Sequence, residues 1–133
     1  MGASKDVFVI KRIYDEAADD DGYRVLVDRL WPRGVSKDDA HLDLWLKEIA
    51  PSPPLRKEFG HMEEHFADFK HHYEAELESN PAVDQLLDLA DGKNRVTLLY
   101  GAKDPEINHA KVLLEYLEDS KRGSAHRHGK AGK

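Results

Sequence analysis

Side chains suited to anion binding or proton transfer occur in two short segments that lie far apart in the chain. The first, "DRLWPRG", contributes Asp28, Arg29, Trp31 and Arg33, and the second, "YGAKDPEINHA", contributes Lys103, Asn108 and His109. Arginine forks and a lysine ammonium bind phosphate or carboxylate groups. If the fold brings the two segments together, they form a site for a small anionic ligand.

Within such a site, we expect Arg29, Arg33 and Lys103 to hold the anion. The predicted catalytic residues are Asp28 and His109. Asp28 would orient an arginine or act as a base, and His109 would transfer a proton near neutral pH. The types of these residues do not decide whether the site is that of an enzyme.

Trp31 and Asn108 complete the predicted ligand-binding set, Trp31 as a surface for stacking a base or an arginine. The alternative is structural: Asp28 and Arg29 form internal salt bridges and Trp31 only buries its ring. Asp104 is expected to cap a helix that begins at Pro105, which would place a negative charge beside the anion.

Three apolar runs predict strands, at Val7–Tyr14, Tyr23–Arg29 and Arg95–Tyr100. The short acidic loop between the first two is too brief for a helical crossover and predicts an antiparallel hairpin. The long segment before the third strand suits a parallel, right-handed crossover. The second and third strands would then end at the same edge of the sheet, where ligands bind in open α/β sheets.

Helical spacing of apolar residues predicts about five helices. They are expected at Lys37–Ala50 with Ser36 as N-cap, from Pro53 to about Phe59, along the face from Met62 to Leu77, around Val83–Leu89, and from Pro105 through Leu117. The predicted fold class is therefore α/β. It has a small mixed sheet of about three strands (a β-hairpin, a long helical crossover and a parallel strand) covered by those helices.

Length and composition limit the function further. A chain of 133 residues predicts one α/β domain over residues 1–120, followed by a basic tail at 121–133 that we expect to be disordered. No apolar run approaches the ~20 residues that span a bilayer, and no signal peptide is visible, so we expect a cytoplasmic protein without membrane contact. The net charge of −6 argues against nucleic-acid binding except through the tail.

Cofactor and metal chemistry has little support in the sequence. The chain contains no cysteine, which excludes thiolate nucleophiles, iron–sulfur clusters and cysteine-ligated zinc. "HMEEH" (His61–His65) matches a short zinc-peptidase arrangement, but a third ligand is missing and the histidines border an apolar helix face. We expect neither a cofactor nor a metal site.

Five segments carry a resemblance to a known family: "KRIYD", "GYRVLVDRLWPRG", "LDLWLKEIAPS", "LRKEFGH" and "VTLLYGAKDPEINHAKVLLEYL". They closely resemble the YeaO-like proteins, a bacterial and archaeal family to which no activity is assigned. The resemblance spans roughly Val7 to Leu117. It implies a small α/β fold and carries over no reaction.

A longer, related branch of the same superfamily has strands ending in "DVR" and in "LLC-x-E", the latter followed by "CHR". By that resemblance Asp28, Arg29 and His109 keep part of the pattern. The other positions depart from it: they are Tyr100 and Asn108 at the two cysteines, Ala102 at the glutamate and Ala110 at the arginine. The resemblance therefore implies a shared crevice without the chemistry that depends on those thiols.

Two hypotheses follow. In the first, the chain recognises a small anionic, phosphorylated or nucleotide-like ligand at the strand ends. In the second, it is a non-enzymatic interaction or regulatory module, in which the surface or the basic tail binds protein or nucleic acid.

Overall fold

A parallel sheet covered by helices forms the framework. The computed structural model describes residues 7–58, 64–104 and 108–122. The strands are β1 (Phe8–Arg12), β2 (Tyr23–Leu26), β3 (Leu44–Trp45) and β4 (Val96–Tyr100). The helices are α1 (Lys37–Ala40), α2 (Pro53–Glu58), α3 (Phe66–Glu78), α4 (Pro81–Ala90) and α5 (His109–Arg122). The predicted α/β class is confirmed, with four strands in place of about three.

The strand order is β1-β4-β2-β3, and each neighbouring pair is parallel. All five residues of the central strand, β4, are buried, as is usual for a parallel strand covered on both faces. The register pairs Phe8 and Tyr23 with Val96, so β1, β4 and β2 point the same way and end at one edge. The predicted parallel relation between β2 and the last strand is confirmed.

The predicted hairpin between the first two strands is wrong, because β1 and β2 both pair with β4, which lies between them. The ten residues from 13 to 22 reach at most ~35 Å, enough to run back along a strand of ~17 Å. Asp21, at the end of this return, is held by hydrogen bonds to its carboxylate and to its carbonyl. Its carboxylate accepts hydrogen bonds from Lys11 at 3.0 Å and from Arg24, and its carbonyl accepts one from Thr97 at 2.6 Å.

The predicted helix over Lys37–Ala50 is also wrong. Ser36 caps α1 as expected, its hydroxyl accepting a hydrogen bond from the Asp39 N–H at 3.0 Å, but the helix ends at Ala40. His41 turns into the left-handed region, with φ of 49°, and the carbonyls of Ala40 and His41 accept hydrogen bonds from the buried Arg24 guanidinium. The chain then forms β3 and a single 3₁₀ turn at Lys47–Ile49.

The sheet separates two apolar clusters. On one face, Val25 and Leu98 belong to the larger core, which includes Phe69 of α3, Leu86 of α4 and Leu113 of α5. On the other face, a smaller cluster is formed by Ile13, Leu26, Ala40 and Leu99, with Trp31 and Trp45 packed against it. Alternate residues of β2 and β4 thus face opposite clusters, as the period of two in a strand requires.

Within the described ranges, none of the helices combines the length and the apolar character needed to cross a bilayer. Nearly all of the predicted basic tail, from residue 123 onward, lies outside those ranges, as does the start of the helix predicted at Pro105.

Candidate functional site

The loops that follow β1, β2 and β4 meet around Gly101. Its N–H donates a hydrogen bond to Asp28 Oδ2 at 2.8 Å. A Cβ atom placed on Gly101 would lie 3.1 Å from Asp28 Oδ2, 3.9 Å from Tyr14 Cε2 and 4.0 Å from Pro32 Cβ. The structure therefore brings "DRLWPRG" and the start of "YGAKDPEINHA" together, as the parallel crossover predicts, and it adds the end of β1.

Asp28 and His109, the predicted catalytic residues, form a buried pair behind Gly101. His109 Nε2 lies 2.9 Å from the Val27 carbonyl oxygen and 3.3 Å from Asp28 Oδ1. Because a carbonyl can only accept, Nε2 carries the hydrogen. Asp28 Oδ1 is buried and has no hydrogen bond with the residues that the structure describes, and His109 is only 7% exposed. The pair thus joins the end of β2 to the start of α5.

The surroundings of His109 favour its neutral form. Burial lowers the pKa of the imidazole, and the nearby Arg56 adds to that effect. The Asp28 charge and the hydrogen bond to Val27 oppose it without cancelling it, so the pKa lies below its ordinary value of 6.5. Its environment therefore favours the neutral form over the imidazolium.

Arg29 follows Asp28 in the chain, and its guanidinium donates hydrogen bonds to backbone carbonyls. Its Nη2 donates to the Ala50 carbonyl at 3.2 Å and its Nε to the Pro51 carbonyl at 3.4 Å. The nearby Tyr73 hydroxyl donates to Ile49 at 2.7 Å. Burial raises the pKa of Tyr73 well above 10, with Glu76 and Asp28 adding to the rise and Arg29 opposing it. The Arg29 guanidinium thus stabilises the segment before α2 through these hydrogen bonds.

Trp31 also makes internal contacts. Its Nε1 donates to the Val35 carbonyl at 2.6 Å, and its ring meets the Trp45 ring edge to face, with centroids 5.3 Å apart. Trp45 is fixed in turn, because its Nε1 donates to the Asp28 carbonyl at 2.8 Å. The two tryptophans therefore brace the loop after β2 against the smaller apolar cluster.

Asn108 precedes α5, whose described part begins at His109. Its Oδ1 accepts a hydrogen bond from the Lys111 N–H at 2.8 Å, which is N-cap geometry, and its Nδ2 donates to the Asp104 carbonyl at 2.7 Å. Asn108 thus caps α5 as far as the structure describes this helix. The predicted cap, Asp104, is followed by residues 105–107, which lie outside the described residues, so the predicted start at Pro105 stays a prediction. Both ends of the Asn108 amide are bonded, and Asn108 is 1% exposed.

Arg33 and Lys103 have a different environment from the other predicted site residues. Both are exposed, and neither side chain makes a hydrogen bond or an ion pair with the residues that the structure describes. Arg12, the last residue of β1, lies near Lys103, because its Nε donates to the Ala102 carbonyl at 2.8 Å. We call Arg12, Arg33 and Lys103 the cationic edge.

Tyr14 links this cationic edge together. Its hydroxyl donates to the Arg33 carbonyl at 2.8 Å, and the Arg12 guanidinium carbon lies 5.0 Å from its ring centroid. Arg12 and Tyr14 are not among the residues predicted from the sequence. An antiparallel first strand would have ended at the opposite edge of the sheet, whereas a parallel one places both residues beside Arg33. The basic and aromatic end of the first apolar run, "KRIY", was the available signal.

Metal ligands do not cluster within the part of the chain that the structure describes: no three His, Asp or Glu side chains there are placed to hold an ion. His61 of the "HMEEH" segment lies outside the described residues, so this finding does not extend to that motif.

Comparison with known proteins places the chain in a family. A family model described as the inactive DUF488-N3 subclade matches residues 7–131. Escherichia coli K12 has a relative, the uncharacterised protein YeaO, that is 49% identical over 107 residues, or 80% of this chain and 93% of the relative. Uncharacterised proteins of Mycobacterium bovis and Mycobacterium tuberculosis are each 39% identical over 108 residues, or 81% of this chain and 91% of theirs. No solved structure matches. The chain therefore belongs to the YeaO-like family, within the inactive DUF488-N3 subclade.

Proposed function

We propose that the chain binds a small anionic ligand at the cationic edge. The observation that carries this proposal is the state of Arg33 and Lys103, two exposed cations without bonds to the described residues. They lie on loops at the carboxyl ends of parallel strands, close to Arg12 at the end of β1, and this is the usual place for ligands in open α/β sheets. The chain as a whole has a net charge of −6, but these three cations give this edge a local positive charge, which attracts an anion.

In this proposal Asp28 and His109 position the site and do not transfer protons. Their side chains contact each other and the backbone of Val27 and Gly101, and His109 is almost entirely buried. The description of the family as an inactive subclade and the absence of cysteine agree with binding rather than thiol-dependent catalysis.

The test is calorimetric titration with inorganic pyrophosphate in a buffer of low ionic strength that contains no other phosphate. The wild-type chain should bind the probe. Replacing Arg33 or Lys103 by alanine should weaken binding about tenfold each, since a hydrogen bond to a charged group contributes about 1.5 kcal/mol or more. Binding should also weaken as salt is added, because exposed charges are screened.

Lys93→Ala is the matched control, because Lys93 is an exposed cation that precedes β4 and so lies at the opposite edge of the sheet. It removes the same charge and should leave pyrophosphate affinity unchanged. If the wild type does not bind pyrophosphate, or if all three variants lose affinity equally, the proposed function is wrong.

A further inference from the structure

A cavity adjoins the cationic edge at Tyr14 and Gly34. Its volume is about 430 Å³, and its lining includes Tyr14, Asp15, Glu16, Gly34, Asp39 and His41. Gly34 follows Arg33 directly, and Tyr14 donates its hydroxyl hydrogen to the Arg33 carbonyl. The cavity and the cationic edge therefore share one wall. A space of this size falls within the range of small-molecule sites, ~300–1,000 Å³.

Tyr14 gives this shared wall an aromatic surface. Its side chain is 47% exposed, although a large aromatic group normally buries most of its area. The hydroxyl is tethered to Arg33, and the Arg12 guanidinium lies over the ring. A ring that is fixed in this way and still exposed beside a cavity is suited to stacking a planar group of a ligand.

The cationic edge and the neighbouring cavity carry opposite charges. The cationic edge offers only donors, whereas Asp15, Glu16 and Asp39 in the cavity offer only acceptors when ionised. An anionic group is attracted to the first and repelled from the second. A planar ring with N–H donors has the complementary preference, since it can hydrogen-bond to the carboxylates.

We propose that the cavity is a second subsite, which holds the amine-bearing aromatic ring of the ligand whose anionic group lies on the cationic edge. The ligand class is then an aminopurine or cytosine nucleotide. This inference rests on the proposed function. It adds that the anionic ligand also contains an amine-bearing aromatic ring. Stacking comes from Tyr14, whereas the sequence assigned it to Trp31.

The test compares adenosine monophosphate with ribose 5-phosphate, which has the same phosphate and sugar without the base. Calorimetric titration of the wild type should give about tenfold or greater preference for adenosine monophosphate. Tyr14→Leu removes the ring and should abolish most of that preference. Because Tyr14 also contacts Arg12 and the Arg33 carbonyl, the readout is the ratio of the two affinities within each variant. Tyr14→Phe keeps the ring and loses only the hydroxyl, so it should retain most of the preference.

Three results would overturn the inference: equal affinity for the two probes, an unchanged preference in Tyr14→Leu, or an equal loss in Tyr14→Phe and Tyr14→Leu. In each of these cases, ribose 5-phosphate binding that still depends on Arg33 leaves the proposed function intact. Failure of both ribose 5-phosphate and pyrophosphate to bind would instead overturn the proposed function itself.

Discussion

At the residue scale, His109 is a titratable group in a place that tolerates its charged form poorly. Burial lowers the pKa of its imidazole below 6.5, and the Asp28 carboxylate only partly offsets this. In the unfolded chain the pKa of the same side chain is about 6.5. Between these two pKa values the unfolded state therefore binds a proton that the folded state does not. The free energy of unfolding must fall as the pH decreases through this window.

We predict that the wild type loses more stability than His109→Gln when the pH is lowered from about 7.5 to about 5.5, because glutamine does not titrate. Urea unfolding at several pH values within this range measures the difference. His71→Gln is the control, since His71 is an exposed histidine of α3. It should follow the wild-type pH dependence, and an identical profile for His109→Gln would contradict the assignment.

The roles of individual side chains were only partly predictable. The residue types and the predicted parallel crossover indicated that Asp28 and His109 lie close together, and the structure shows them 3.3 Å apart. The sequence did not reveal that Arg29, Trp31 and Asn108 would be bonded to backbone groups, because side-chain direction in a loop depends on turns that leave no periodic pattern. Arg33 and Lys103 are exposed, and their predicted role in binding remains a proposal.

At the element scale, the approach of β2 to β4 depends on Gly22. This residue has φ of 67°, and a Cβ atom there would lie 2.3 Å from the Arg95 carbonyl oxygen. That oxygen accepts the N–H of Tyr23 at 3.0 Å, the bond that begins the pairing of the two strands. Gly92 also has a positive φ, 85°, but a Cβ atom there would meet no atom of the described residues within 4 Å. Comparing alanine substitutions at Gly92 and Gly22 therefore distinguishes the cost of backbone strain alone from the cost of strain with steric overlap.

We predict that Gly92→Ala costs about 1–2 kcal/mol of stability, the price of a left-handed backbone for a residue with a Cβ atom. Gly22→Ala must in addition displace the backbone of Arg95, and should cost more than about 3 kcal/mol. Urea unfolding of both variants measures the difference. Equal losses would show that the start of β2 is free to move away from β4.

Strands formed by apolar runs were predictable from the sequence. The segment after α1 was not, because a single buried side chain determines its structure. The apolar runs of β1, β2 and β4 were found because strands of this kind leave a pattern in the sequence. Leu42, Trp45, Leu46 and Ile49 have helical spacing, yet this segment forms β3 and a 3₁₀ turn. The buried Arg24 guanidinium, which binds the carbonyls where α1 ends, overrides that spacing. Such a contact between distant segments cannot be found in a short sequence window.

At the scale of the whole molecule, charge is unevenly distributed. The chain carries a net charge of −6, while Arg12, Arg33 and Lys103 lie together at one edge of the sheet and Asp15, Glu16 and Asp39 line the neighbouring cavity. A second group of basic residues, Arg127, Lys130 and Lys133, occurs near the C-terminus, outside the described residues. The two groups correspond to the two functional hypotheses: a ligand site on the folded domain, and an interaction segment in the tail.

Removing residues 123–133 distinguishes these hypotheses. The truncated chain keeps every described residue, including the cationic edge and α5 through Arg122. We predict that it binds pyrophosphate with an affinity within about twofold of the wild type, because the tail supplies none of the proposed contacts. Calorimetric titration measures the affinity, and urea unfolding checks that the fold is retained. A folded truncated chain that no longer binds would assign anion binding to the tail and favour the interaction module.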